Sequence, residues 1–201
     1  MTTTSLTRRR FASTLGALAC MPALAAGGAA ALPGDSVYQL RATLTDHHGR
    51  AFELASLRGA PVLVTMFYTS CEMVCPMLFE TIRFTLDALP VAQRSGARVL
   101  MVSFDPARDT VPVLAQTART RGCDERWTLA RCDERTAREI AAALGLQYRR
   151  LDSGEFNHSS TIELLDADGR IAARTGTLAA VDPGLLKALR VAIRRTPDAQ
   201  S

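Results

Sequence analysis

The stretch Val62-Leu63-Val64-Thr65-Met66-Phe67-Tyr68-Thr69-Ser70-Cys71-Glu72-Met73-Val74-Cys75-Pro76 leaves this chain few ways to fold. Its first half is β-branched, aromatic and apolar on both faces, the pattern of a strand buried inside a parallel sheet. Thr69-Ser70 ends that run, two cysteines follow, and Pro76 opens a helical pattern. Proline suits a first helical turn, where its missing N–H would have no partner anyway. The two thiols therefore fall where the carboxyl end of a strand feeds a helix N-terminus, the usual place for a site in an open α/β sheet. Unpaired N–H groups and the helix dipole there favour thiolate over thiol. Thiolate is both the nucleophile of disulfide exchange and a soft metal ligand, so the chemistry narrows to redox or soft-metal binding.

The N-terminus reads as an export leader over residues 1–25. Arg8-Arg9-Arg10 is a basic start, Phe11 to Met21 is uncharged and mostly apolar, and Ala23-Leu24-Ala25 is a small-residue cleavage site. Thr7-Arg8-Arg9-Arg10-Phe11 resembles a twin-arginine signal. An uncleaved membrane anchor is the rival reading, but Gly16, Pro22, Gly27 and Gly28 make a poor spanning helix. Removing the leader takes away three arginines and no acid, so the formal charge falls from +4 to +1. A nearly neutral chain with scattered arginines carries no nucleic-acid footprint. In an oxidising compartment the remaining Cys71, Cys75, Cys123 and Cys132 read as two separate pairs rather than a disulfide-built scaffold.

After a small-residue linker over 26–36, one domain is expected over 37–196, with a polar tail over 197–201. Leu40 to Leu44 and Ala51 to Leu54 alternate about the turn Asp46-His47-His48-Gly49 and predict a β-hairpin. The adjacent histidines read as solvated turn residues. Leu78, Phe79, Ile82, Leu86 and Leu89 recur at helical spacing up to Pro90. Arg98 to Phe104 is a second buried strand; its exit, Asp105-Pro106-Ala107-Arg108-Asp109-Thr110, is a turn in which Asp109 or Thr110 caps a helix to about Thr120. Trp127 to Ala130 predicts a third strand, and Glu134 to Leu144 a helix ended by Gly145. Tyr148 to Leu151 extends briefly before a polar loop from Asp152 to His158. A hairpin spans Thr161 to Arg174 about Asp166-Ala167-Asp168-Gly169, and Asp182 to Arg195 closes the fold as a helix. This order defines an α/β class, a thioredoxin-like fold with an N-terminal β-hairpin and an inserted strand and helix.

Cys71 and Cys75 have three intervening residues, where thioredoxin-type redox centres have two. At i and i+4 around a helix start the sulfurs can face the same way and converge on a metal, and a disulfide stays feasible. Phe67-Tyr68-Thr69-Ser70-Cys71-Glu72-Met73-Val74-Cys75-Pro76, with Ser103-Phe104-Asp105-Pro106-Ala107-Arg108-Asp109-Thr110 and Asn157-His158-Ser159, resembles the Sco/SenC family of copper chaperones, from roughly Val37 to Leu189. The resemblance implies copper, Cu(I) or Cu(II), as cofactor, with Cys71, Cys75 and His158 as its ligands. It also implies partners: a copper donor protein, and the copper-centre subunit of cytochrome c oxidase or another cuproprotein, to which members deliver copper or whose cysteines they reduce. Two thiolates and an imidazole form a soft, mixed donor set suited to that ion. Redox thioredoxins carry a proline in the loop where His158 falls, and this chain has none.

The implied function is a periplasmic metallochaperone. Its main rival is a thiol–disulfide oxidoreductase with Cys71 and Cys75 as catalytic residues and His158 setting the thiolate; a peroxide-reducing enzyme is a third reading. Family members are usually held by an N-terminal membrane helix, whereas this leader looks cleavable. Cys123 and Cys132 lie outside the family motif; a local disulfide between them is expected, against two unrelated thiols or a second metal or redox site. Met73 and Met77 read as core filling or chance placement, with thioether ligation to Cu(I) as the alternative. Asp105 and Asp109 read as turn and cap residues rather than an acid–base pair.

Overall fold

The structure is a computed structural model that describes residues 1–2 and 31–196. Nearly all of the expected leader, the first part of the linker and the polar tail lie outside the described residues. Among the described residues, Leu32 to Thr196 belong to one compact unit. Among the described residues no helix is long and apolar enough to cross a membrane.

The centre of that unit is β3 (Val62–Phe67), whose six residues are all buried. It pairs in parallel with β4 (Arg98–Ser103), which pairs in parallel with β5 (Trp127–Arg131). Helices α1 (Val74–Asp87) and α2 (Val111–Thr120) make the two crossovers that parallel pairing requires. On the other side β3 pairs antiparallel with β8 (Ile162–Leu165), and β9 (Ile171–Thr175) completes that hairpin. The first hairpin, β1 (Thr43–Asp46) and β2 (Ala51–Glu53), adds to the far edge through β1 and β5, so the sheet runs β2-β1-β5-β4-β3-β8-β9. The thioredoxin-like α/β architecture with its N-terminal hairpin is thus present.

The helices follow their sequence signals closely. α1 turns Leu78, Phe79, Ile82 and Leu86 onto the sheet, where Phe79 meets Phe67 edge-on and stacks on Trp127. α3 (Glu134–Leu144) starts where the Asp133 carboxylate accepts the Thr136 N–H at 2.9 Å. It ends at Gly145, whose φ of 70° is the left-handed conformation that favours glycine. α4 (Pro183–Arg195) starts at the Asp182 cap and buries Leu185, Leu189 and Ile193. Because β3, β4 and β5 are parallel, their carboxyl ends open on one edge of the sheet. Tyr68, Phe104 and Cys132 follow those ends directly.

Three expectations are corrected. The segment read as a polar loop contains β7 (Phe156–His158), paired antiparallel with β6 (Tyr148–Arg150) as a separate two-stranded sheet. His47 is not a plain solvated residue: it is half-buried, and its Nδ1 accepts the Leu129 N–H at 3.2 Å, tying the first turn to β5. Cys123 and Cys132 form no disulfide, and both are free thiols. They stand before and after β5, whose five extended residues alone span roughly 16 Å, against about 7 Å as the Cα limit for a bridge. Burial pushes Cys123 up to about 11 and Cys132 up to about 12, so neither is a ready thiolate. Alkylation in denaturant after mild oxidation, followed by peptide mass mapping, should find both positions free. A cross-linked peptide joining Cys123 to Cys132 would contradict this placement.

Candidate metal centre

β3 delivers the chain to the site. At its end Tyr68-Thr69-Ser70 turns, and the Cys71 N–H donates back to the Tyr68 carbonyl at 3.3 Å. Met73, at the N-cap position of α1, supplies no side-chain cap. The sulfur of Cys71 takes that place, accepting the Cys75 N–H at 3.4 Å. Burial works against a thiolate at Cys71, but N–H groups of Cys75, Val74 and Met73 outweigh it and hold its pKa below that of an ordinary thiol. The helix start is thus satisfied by the sulfur it activates.

Cys75 sits in the first turn and is 3% exposed. Burial, reinforced by the charge at Cys71, pushes its thiol well above the ordinary range. Of the two sulfurs Cys71 is the more readily ionised, and Cys75 holds its proton more tightly.

His158 arrives from the β6–β7 hairpin, which shares no ladder with the main sheet and is held over the thiols by other means. Tyr148 stacks on Phe104 with ring centroids 4.7 Å apart, and Phe156 packs on both Phe104 and Tyr68. Two hydrogen bonds latch the tip: the Tyr68 hydroxyl donates to Glu155 at 2.6 Å, and Arg108 donates to the Gly154 carbonyl at 2.7 Å. The His158 ring lies edge-on to Tyr68 and against Phe104. Its Nδ1 lies 2.9 Å from the Ser159 carbonyl, which can only accept, so Nδ1 carries a proton and Nε2 is the nitrogen left to bind a metal. The ligand atoms of Cys71, Cys75 and His158 all lie within 4.8 Å of one another. Cys71 and His158 line a groove of about 580 Å³ together with Ser70, Glu72, Met73 and Glu155.

The three residues singled out from sequence therefore converge. Asp109 departs from its expected role. It does not cap α2; Thr110 holds that position without a side-chain bond. Asp109 is instead fully buried, at 0% exposure, and accepts from the Thr69 N–H at 3.3 and 3.2 Å, from the Thr69 hydroxyl, and from the Ser103 hydroxyl. It clamps the exit of β3 to that of β4, two residues ahead of Cys71. Asp105 is buried beside it and pairs with Arg108, the residue that latches the hairpin tip. The Asp105–Thr110 segment thus supports both halves of the site. Sequence reasoning quoted it without assigning this role. Met73 and Met77 are not core filling either: they are 80% and 37% exposed.

Comparison with known proteins gives the class and then the family. A Bradyrhizobium japonicum ScoI structure with copper bound superposes with a TM-score of 0.61 at 22% identity, covering 77% of this chain and 96% of that one. Yeast Sco1 with copper bound superposes with a TM-score of 0.62 at 16% identity, covering 76% of this chain and 86% of that one. These likenesses establish the fold. A Stutzerimonas stutzeri protein named for copper binding is 29% identical over 102 residues, 47% of this chain. The chain spans about half the length of that relative, with 50% covered. Residues 33–192 match the SCO1/SenC family, and the chain belongs to it.

Removing the Asp109 carboxylate should loosen the site from beneath. Asp109→Ala leaves the Thr69 N–H and two hydroxyls without an acceptor and should cost about 2–3 kcal/mol in urea unfolding. Asp109→Asn keeps one acceptor and should cost clearly less. Burial raises the Asp109 pKa, so the folded state holds this proton more tightly than the unfolded one. Parent stability should then fall as pH rises through the region just above the ordinary carboxylate range, a slope that Asp109→Asn should flatten. Equal stability of Asp109→Ala and the parent would contradict the clamp.

Proposed function

We propose that this protein binds one copper ion through Cys71, Cys75 and His158 and passes it to an acceptor cuproprotein, the copper centre of cytochrome c oxidase being the acceptor that the family resemblance favours. The observation that carries this reading is the convergence of two sulfurs and one imidazole nitrogen within 4.8 Å. The donor set fits the cargo: thiolates match soft Cu(I), and the imidazole widens the set toward Cu(II). Within the centre Cys71 offers the more readily ionised sulfur, Cys75 gives up its proton to water as its sulfur binds, and His158 supplies a ring nitrogen from the hairpin. The groove leaves the site open on one side, as a carrier needs for both loading and release. The arginine-led leader and Ala23-Leu24-Ala25 support export to the periplasm, where such cuproproteins are assembled.

A second reading, a thiol–disulfide reductase, is favoured by one observation. Cys71, though buried, lines the groove and is the more readily ionised, while Cys75 does not line it and holds its proton more tightly, the division of labour between an attacking and a resolving thiol.

His158→Ala separates the two. The variant should fold, retain stoichiometric Cu(I) uptake on the two thiolates, and lose Cu(II) affinity by more than about tenfold, together with the thiolate-to-copper absorption band. Metal analysis of the reduced protein and visible titration with Cu(II) measure both. A reduced parent that takes up no stoichiometric copper yet turns over disulfide substrates would overturn the copper reading in favour of the reductase.

A further inference from the structure

Two exposed methionines stand beside the thiols rather than in the core. Met73 stands between Cys71 and Cys75, is 80% exposed and lines the same groove as Cys71 and His158. Met77 lies four residues on, in the first turns of α1, and is 37% exposed. The core uses methionine elsewhere: Met66 and Met101, on β3 and β4, are 2% and 0% exposed. Apart from the terminal Met1, every exposed methionine among the described residues is therefore within one helical turn of the thiol pair. A thioether is a weak, neutral, soft ligand, well matched to Cu(I) and too weak to trap it. Glu72 and Glu155 flank Met73 along the groove and favour approach of a cation.

We propose that Met73, backed by Met77, is a transfer ligand: a thioether that receives Cu(I) from a donor and passes it inward to Cys71 and Cys75. The step is ligand exchange without redox change. One donor-to-copper bond breaks as the Met73 sulfur binds, and that bond breaks in turn as the Cys71 and Cys75 sulfurs bind. Each sulfur still carrying a proton releases it to water, and copper remains Cu(I) throughout. The donor class is a soft-metal carrier or chelate whose ligands can be replaced one at a time. The inference rests on the copper reading above and adds a route to it.

The test is stopped-flow transfer of Cu(I) from its coloured bicinchoninate complex to the reduced protein, with equilibrium competition against the same chelator. Met73→Leu and the double variant Met73→Leu/Met77→Leu preserve an apolar side chain of similar size at exposed positions, so folding is not at stake. Transfer should slow at least about fivefold in Met73→Leu and further in the double variant, while equilibrium affinity stays within about twofold of the parent. A transfer rate within about twofold of the parent in both variants overturns the proposal. So does an affinity loss as large as the rate loss, which would make Met73 a resident ligand. A parent that takes up no Cu(I) defeats the copper reading itself, a result separate from either of these. Methionine methyl NMR with Ag(I), a redox-silent soft ion, gives an independent readout in the double variant Cys71→Ser/Cys75→Ser, where no thiol competes: the Met73 methyl signal should shift progressively as Ag(I) is added. An unmoved signal throughout the titration would also overturn the proposal.

Discussion

Strand β3 has no side that faces water, and the rest of the structure is arranged around that fact. Burying each of its Val, Leu, Met and Phe side chains contributes about 1.5–3 kcal/mol, far more than any single hydrogen bond nearby. The hydrophobic term thus fixes β3 between β4 and β8, and so fixes where the chain must leave the sheet. Polar interactions refine that exit. Asp109 grips Thr69 from below, and the first turn of α1 closes on the Cys71 sulfur. A thiol held there ionises more readily because N–H groups at the helix start turn toward its sulfur.

The imidazole is positioned by different physics. The β6–β7 hairpin is short and pairs only with itself, so its place over the thiols is set by aromatic packing on Phe104 and Tyr68 and by the Glu155 and Gly154 latches. An isolated two-stranded hairpin is marginally stable in water, so those contacts decide whether His158 is in place. The two halves of the site consequently rest on unequal foundations, a rigid sheet end for sulfur and a packed arm for nitrogen. That inequality suits a carrier whose third ligand must be surrendered when the cargo leaves.

What the sequence made legible follows the strength of the local signal. The both-faced apolar run of β3 and the Gly145 terminus are short-range patterns, and they mark those elements closely. Cys71 and Cys75 were readable because strand, thiols and proline are contiguous. β7 was missed because three residues with polar neighbours carry no periodicity, and its strand conformation comes from β6 and from the aromatic platform. Asp109 was misread because a turn aspartate before Thr110 has every local mark of a cap. Only the tertiary meeting of the β3 and β4 exits turns it inward. The expected Cys123–Cys132 bridge came from matching contexts in sequence, which say nothing about the extended strand that separates them.

The central claim is that two sulfurs from one end of α1 and one nitrogen from the hairpin act on the same ion. Copper K-edge X-ray absorption on the reduced protein loaded with one equivalent of Cu(I), compared with the same protein loaded with Cu(II), tests it most directly. The account predicts copper bound by the two cysteine sulfurs in both states, with a histidine imidazole nitrogen in the Cu(II) form that Cys71, Cys75 and His158 supply together. A Cu(II) spectrum with nitrogen and oxygen scatterers and no sulfur would contradict it, as would copper bound by sulfur alone in both states.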